Sequence, residues 1–332
     1  MLHNNAPVAR SVSGKDLTVL AKLLFGDKHK EHPPHLLRIL WAIEGGVITS
    51  FARLVKFISP DRASSIGRWL MRMLGPRMDK TRLMRRNLRL AFPEKQAEEI
   101  DDLIRDIWGN LGSVMAEYPH LGTICDREAD QRLDYEIKGD PQVFRDHSKP
   151  AVFVSAHLAN WELAAGAIVH QGIPFSAVYT TLQNPSLDHM LFKARQSLGY
   201  ELVEREGAAR QLVRCLKQGN SVGLIVDQRV DSGEPVKFFH HDMLTSITPA
   251  QLALKFGCEL IPVQIQRRQG ANFRVIFHEP VTVDDGNLDE HEKILQMTRK
   301  INAAFESWIR ERPHEWLCSK RRWAKAIDKS GD

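Results

Sequence analysis

FVSAHLANWELAA, residues 153–165, is an apolar run that stops at His157 and resumes on what reads as the start of a helix carrying Glu162. Together with Ala151 and Val152 the run AVFVSA (151–156) has the length and composition of a buried strand. Residues 160–169 read as the helix that follows, closed by Gly172 and Pro174. A buried strand feeding a helix is one half of a parallel crossover unit, so the rest of the chain is read for its repetition.

The repetition is there. FSAVYTT (175–181), ELVE (201–204), SVGLIVD (221–227), VKFF (236–239), ELIPVQIQ (259–266) and FRVIFH (273–278) read as strands. Between and after them, residues 186–198, 208–217, 249–256 and 287–312 read as helices, punctuated by Gly199, Gly219, Gly257 and Pro313, with Thr248 as an expected cap. The pattern predicts the α/β class: a mostly parallel central sheet covered by helices. Such sheets bind ligands beyond the carboxyl ends of their strands, where both His157 and Asp227 fall. No dinucleotide fingerprint, phosphate-binding P-loop or G-x-S-x-G nucleophile elbow is present.

The 332 residues divide into three stretches. Residues 1–35 form a polar, proline-punctuated arm, read as mobile. His29, His32 and His35 lie in it with no carboxylate or thiolate set beside them, so no metal site is expected. Residues 36–118 read as helical and membrane-facing, and residues 119–332 as the α/β core, the two together making one domain. No secretory signal is expected at the polar start.

The segment LLRILWAIEGGVITSFARLVKFI (36–58) is long and apolar, but Arg38, Glu44, Arg53 and Lys56 interrupt it. An interfacial amphipathic helix is the reading its charges favour, with a tilted span and a core helix as alternatives. Residues 68–95 interleave arginines with Leu, Met and Trp, which suggests cations presented to phosphates; a solvated helix face is the other reading. A net charge of +5 points to an anionic partner. The four cysteines form no C-x-x-C pair, which argues against zinc and fits a reducing compartment. No RNA-recognition pattern with aromatic stacking platforms occurs, so nucleic acid is not an expected partner.

His-x4-acid spacing is weak evidence by itself: with 14 histidines and 41 acids, chance supplies roughly one or two such pairs. On one continuous helix, residues five apart lie about 140° from each other and cannot meet. His157 in the turn and Glu162 in the first helical turn could. A carboxylate on one ring nitrogen would fix the tautomer and leave the other nitrogen free to take a proton from a hydroxyl. The residues alone leave a catalytic base and a structural histidine both open. Arg195, Arg205 and the Asp227-Gln228-Arg229 trio lie near strand ends as candidates to meet phosphate or an oxyanion, with surface ion pairs as the plainer reading.

HLANWE, VYTTLQNPSLDHMLFKARQSLG, REGAARQLVRCLKQGNSVGLIVDQRVDSGEPVKFF, ITPAQLALKFGCELIPVQIQRR and HEWLCSKRRW, in that order, resemble the late acyltransferases of lipid A biosynthesis, the bacterial lauroyl/myristoyl acyltransferase family. The upstream RRNLRLAFPE is similar to that family's helical segment, and the likeness covers roughly residues 40–325. It implies a glycerol-phosphate-acyltransferase-like fold. It also implies transfer of a fatty acyl chain from acyl carrier protein, or coenzyme A, to a hydroxyl of a membrane glycolipid at the cytoplasmic face of the inner membrane. No cofactor or metal is implied. His157 and Glu162 carry the family's His-x4-Asp/Glu motif as general base and orienting acid. Asn160, Arg195, Arg205, Asp227, Gln228 and Arg229 are the candidate substrate-binding residues. Lysophospholipid, ornithine lipid and phosphoinositol mannoside are the alternative acceptors. His240-His241 departs from the family, where many relatives carry a glycine after the paired phenylalanines. The basic-aromatic KRRW (320–323) fits a membrane interface or a solvated tail.

Overall fold

The computed structural model of the chain describes residues 34–126, 131–140 and 149–324. The expected N-terminal arm lies outside the described residues except for its last two, which open the first helix. Among the described residues four helices come first: α1 (Pro34–Val55), α2 (Pro60–Leu74), α3 (Lys80–Ala91) and α4 (Ala97–Glu117), followed by the short α5 (Leu121–Cys125). Ser59 caps α2 by accepting from the Arg62 backbone N–H, with Pro60 at the first helical position. Gln96 and Glu99 form a capping box at the start of α4.

The α/β part runs β1 (Leu133–Ile137), β2 (Val152–Ser155), α6 (Leu163–Val169), β3 (Phe175–Tyr179), α7 (Pro185–Gln196), β4 (Glu201–Glu204), α8 (Ala208–Lys217), β5 (Ser221–Ile225), β6 (Glu234–Phe238), β7 (His241–Thr245), α9 (Thr248–Phe256), β8 (Leu260–Arg267), β9 (Phe273–Phe277) and α10 (Glu290–Glu311). Seven strands form one sheet in the order β1-β9-β8-β2-β5-β3-β4. All neighbours are parallel except the antiparallel pair β8–β9.

The expected architecture holds, with three differences. β1 was not expected; it alternates in register with β9, Leu133 opposite Phe273 and Ile137 opposite Phe277. VKFF belongs to an antiparallel hairpin, β6–β7, outside the main sheet; its tip places Phe239 at φ +54°. Thr248 is the first residue of α9 rather than its cap.

β2 reads as a continuous apolar run because both faces of the sheet are covered. Val152 and Val154 pack into one core cluster, and Ala151 and Phe153 into the other, the period-two split of a central strand. α2 and α4 cross at a glycine pair. A Cβ on Gly67 would sit 2.8 Å from the Ala116 Cβ, and one on Gly112 2.7 Å from the Met71 Cβ, so only glycine permits the approach. Glu117, fully buried at the end of α4, accepts from Arg267 of β8 and ties the helical part to the sheet.

The arginine-rich stretch is more paired than its sequence suggests. Arg68 and Arg72 both reach Asp106, and Arg85 reaches Asp101, acids supplied by α4. Glu44 of α1 is buried and accepts from the Asn184 side chain at 3.0 Å, pinning α1 to the start of α7. Along the outer face of α1 and just beyond it, Ile39, Ile43, Val47, Leu54 and Phe57 are exposed, Phe57 by 88%. Among the described residues no helix is long and apolar enough to cross a membrane.

Candidate active site

β2 and β5 are adjacent and parallel, with Ser155 opposite Ile225. Continuing that register by two residues sets His157 opposite Asp227. The loop after β2 is held in this position by a strained turn: Ala159 takes φ +47°, its N–H donates to the Glu315 carbonyl, and its carbonyl accepts from Asn110. Leu317 N–H donates to the His157 carbonyl at 2.9 Å.

His157 Nδ1 lies 2.6 Å from Asp227 Oδ1. The Asp227 carboxylate is fully buried, and its Oδ2 accepts from the Trp316 indole at 3.1 Å and from Arg322 Nη2 at 2.8 Å. Burial alone would raise the Asp227 carboxyl, but Arg322 and His157 outweigh it and hold the group well below the usual carboxylate range. An ionised Asp227 takes the Nδ1–H, so the lone pair sits on Nε2. The Gln228 amide nitrogen lies against the ring, 3.1 Å from Nε2 and 3.2 Å from Nδ1. The ring is 16% exposed at the side chain.

Glu162 is not the carboxylate that holds His157. It lies just ahead of α6 and accepts from Arg195 Nε at 2.8 Å and Nη2 at 2.7 Å, from the Tyr118 hydroxyl at 2.5 Å and from the Trp161 indole at 3.1 Å. It makes no hydrogen bond to His157 among the described residues. Burial opposes its charge, but Arg195 and these donors keep the carboxyl below its ordinary value. Burial and the neighbouring Glu162 push the Tyr118 phenol well up, so it stays protonated and donates. The two clusters meet through Trp161, whose ring centroid lies 5.2 Å from that of His157.

The other expected site residues divide. Asn160 is buried and donates to Glu117, supporting the loop from beneath. Gln228 touches His157. Arg229 pairs with Asp231 at 3.0 Å, and Arg205 is exposed. Arg322 was missed because its KRRW stretch reads as a membrane interface or a solvated tail, and Trp316 because it lies four residues upstream with no motif of its own to mark it. In fact Arg322, Trp316 and Trp323 are fully buried, and the C-terminal segment wraps beneath the site. Beside Tyr118, a cavity of about 300 Å³ opens between α1 and α7, with Arg53, Lys56 and Lys193 among its walls.

A histidine–carboxylate pair at the carboxyl ends of parallel strands can activate a hydroxyl without a metal or an enzyme nucleophile. The profile of the bacterial lipid A biosynthesis acyltransferases matches residues 29–325. The chain belongs to this family. It is therefore an O-acyltransferase that transfers an acyl group to a lipid acceptor. This lipid A-type acyltransferase is 24% identical to the phosphatidylinositol mannoside acyltransferase of Mycolicibacterium smegmatis over 293 residues, 84% of this chain and 92% of the relative. It is 22% identical to the lipid A biosynthesis myristoyltransferase of Escherichia coli K12 over 233 residues, 69% of this chain and 71% of that one. Among solved structures, the acyltransferase aligns with the 1-acyl-sn-glycerophosphate acyltransferase PlsC of Thermotoga maritima at a TM-score of 0.34 and 13% identity, over 75% of this chain and 99% of that one.

Proposed function

We propose that the acyltransferase moves a fatty acyl chain from an acyl carrier protein thioester to a hydroxyl of a lipid A precursor, with His157 as general base and Asp227 as its orienting carboxylate. The 2.6 Å contact between His157 Nδ1 and Asp227 carries this reading. Nε2 takes the proton of the acceptor hydroxyl as its oxygen attacks the thioester carbonyl. The new C–O ester bond forms, the C–S bond breaks, and the proton passes from Nε2 to the departing thiolate. Gln228 gives up its contact with Nε2 when the hydroxyl arrives. Glu162 acts at one remove: it locks Arg195, Tyr118 and Trp161 into the wall beside the histidine.

Arg53, Lys56 and Lys193 line the cavity that would meet an acceptor phosphate, since a cationic wall beside an apolar surface suits a phosphorylated lipid. The exposed face of α1 supports peripheral attachment to the inner face of the membrane. A basic surface also steers an acidic carrier protein.

A second acceptor has its own support. The alignment to a mycobacterial phosphatidylinositol mannoside acyltransferase spans 84% of the chain, against 69% for the lipid A myristoyltransferase. The test is a matrix of lauroyl-acyl carrier protein and lauroyl-CoA donors against a lipid A precursor, phosphatidylinositol mannoside, ornithine lipid and a lysophospholipid. Product on the lipid A precursor, lost in His157→Ala and Asp227→Asn, is the expected result. Full turnover by purified His157→Ala would refute the base assignment.

A further inference from the structure

After α10, residues 313–324 pass under the loop that carries His157. Trp316 bridges to Leu158, and the Leu317 N–H holds the His157 carbonyl. Asn87 of α3 clamps the next stretch, donating to the carbonyls of Cys318 at 2.7 Å and Lys320 at 2.6 Å. This returns the chain so that Arg322 enters from below Asp227.

Arg322 is 0% exposed. Its Nη1 donates to the Asp227 backbone carbonyl, and its Nη2 to Asp227 Oδ2 at 2.8 Å and to the Leu317 carbonyl at 3.2 Å. Its guanidinium lies over the Trp316 ring at 4.9 Å, and that indole donates to the same Oδ2. One oxygen of Asp227 is thereby fixed by two donors, and the other is turned to His157 Nδ1. A buried arginine is costly to desolvate, and here that cost is offset by its pairing with the equally buried Asp227. The planar fork makes two simultaneous contacts, to the carboxylate and to the backbone of one residue, which a lysine cannot reproduce.

We propose that Arg322 is a positioning residue of the catalytic pair: it fixes the rotamer of Asp227, keeps that carboxylate ionised, and through it sets the tautomer and orientation of His157. The inference rests on the reading of His157 as general base. It makes the C-terminal segment part of the active site, with the first helices (through Asn87) as its support.

Among the described residues, the charged groups acting on Asp227 are few. His157 faces it from the end of β2, and Arg322 from the C-terminal segment. The Cys318 thiol beneath is pushed up to about 12 by burial and is uncharged. Arg322 is therefore the cation that offsets the buried carboxylate whenever His157 is neutral. Without it, the His157–Asp227 pair takes up a proton at higher pH, because one positive neighbour is gone. The protonated pair cannot act as base, so the acid limb of the rate profile moves upward.

The experiment measures kcat against pH for lauroyl transfer from lauroyl-acyl carrier protein to a lipid A precursor, in the full chain, in Arg322→Met and in Arg322→Lys. Arg322→Met is expected to lower kcat about 10- to 100-fold, the range for groups that orient a catalytic side chain, and to move the acid limb up by about one pH unit. Arg322→Lys keeps the charge, so its acid limb stays in place while kcat falls by about 10-fold. In an Asp227→Asn background, Arg322→Met is expected to change kcat by less than about 3-fold, since both act through one group. An unmoved acid limb in folded Arg322→Met overturns the proposal. If Arg322→Met does not fold, Arg322→Lys decides, and wild-type kcat there overturns it. Loss of activity in His157→Ala and Asp227→Asn with an unchanged Arg322→Met profile defeats this inference alone. Full activity in His157→Ala defeats the reading beneath it.

Discussion

His157 and Asp227 sit opposite each other because the parallel register of β2 and β5 runs on past the ends of both strands. Val152 faces Val222 and Ser155 faces Ile225, and the same offset carries His157 to Asp227, 2.6 Å from Nδ1 to Oδ1. The pair is thus aligned by the backbone of two central strands, and the turn at Ala159 and the Leu317 N–H hold the His157 end in place.

Asp227→Asn is expected to cut kcat by about 10²- to 10⁴-fold, because an amide in place of the carboxylate no longer selects the Nδ1–H tautomer. The substitution is nearly isosteric. Single-turnover rates with saturating acceptor, alongside circular dichroism of the purified variant, check it. A loss under 3-fold in a folded variant would show that another group orients His157.

Glu162→Ala is expected to act mainly on stability. It leaves the partly buried Arg195 without its bidentate partner, a change that costs about 3 kcal/mol, the lower end for buried pairs. Adding Arg195→Met should recover a good part of that loss. Urea unfolding of the two single variants and the double variant measures the coupling; strict additivity would contradict the pairing.

The helix crossing gives a prediction independent of chemistry. Gly67→Ala or Gly112→Ala forces α2 and α4 apart, with a cost of about 1–3 kcal/mol for overpacking. Thermal unfolding reads this directly. A neutral result would mean that the helices separate freely.

His278 stacks on Trp308 at 4.7 Å and bonds Gln264 through Nε2 at 3.1 Å. Burial, aided by Lys138, lowers its pKa from 6.5 to about 4. A histidine depressed in the folded state contributes stability that is fully present above its unfolded value and is lost as the pH falls from about 6.5 to about 4. His278→Gln should flatten that part of the stability curve; unfolding midpoints in urea from pH 4 to 7 provide the comparison.

Membrane attachment can be tested on the exposed face of α1 and the turn after it. Leu54 and Phe57 are 68% and 88% exposed, and burying an apolar side chain of this size yields about 1.5–3 kcal/mol. Leu54→Asp with Phe57→Asp should weaken co-sedimentation with anionic vesicles at least 10-fold, with thermal stability unchanged. Equal sedimentation would place the contact elsewhere on the surface.

Local sequence determined much of this protein. Short apolar runs separated by helical segments and closed by Gly and Pro dictate a covered parallel sheet, since only a strand buried on both faces can be apolar throughout. The same runs place His157 and Asp227 at strand ends. β1 escaped notice because it is a five-residue edge strand, LDYEI, with too few apolar residues to stand out from the polar sequence around it. What the sequence could not supply was adjacency. Glu162, five residues from His157, looked like its partner, yet at the junction its side chain turns to Arg195, 33 residues away. The true partner of His157 lies 70 residues away, brought in by strand pairing. KRRW looked like a surface signature because arginine is strongly hydrated in isolation. Arg321 does stay exposed, but Arg322 is buried because Asp227, two backbone carbonyls and a tryptophan ring replace its water, and those groups converge only when the chain has folded.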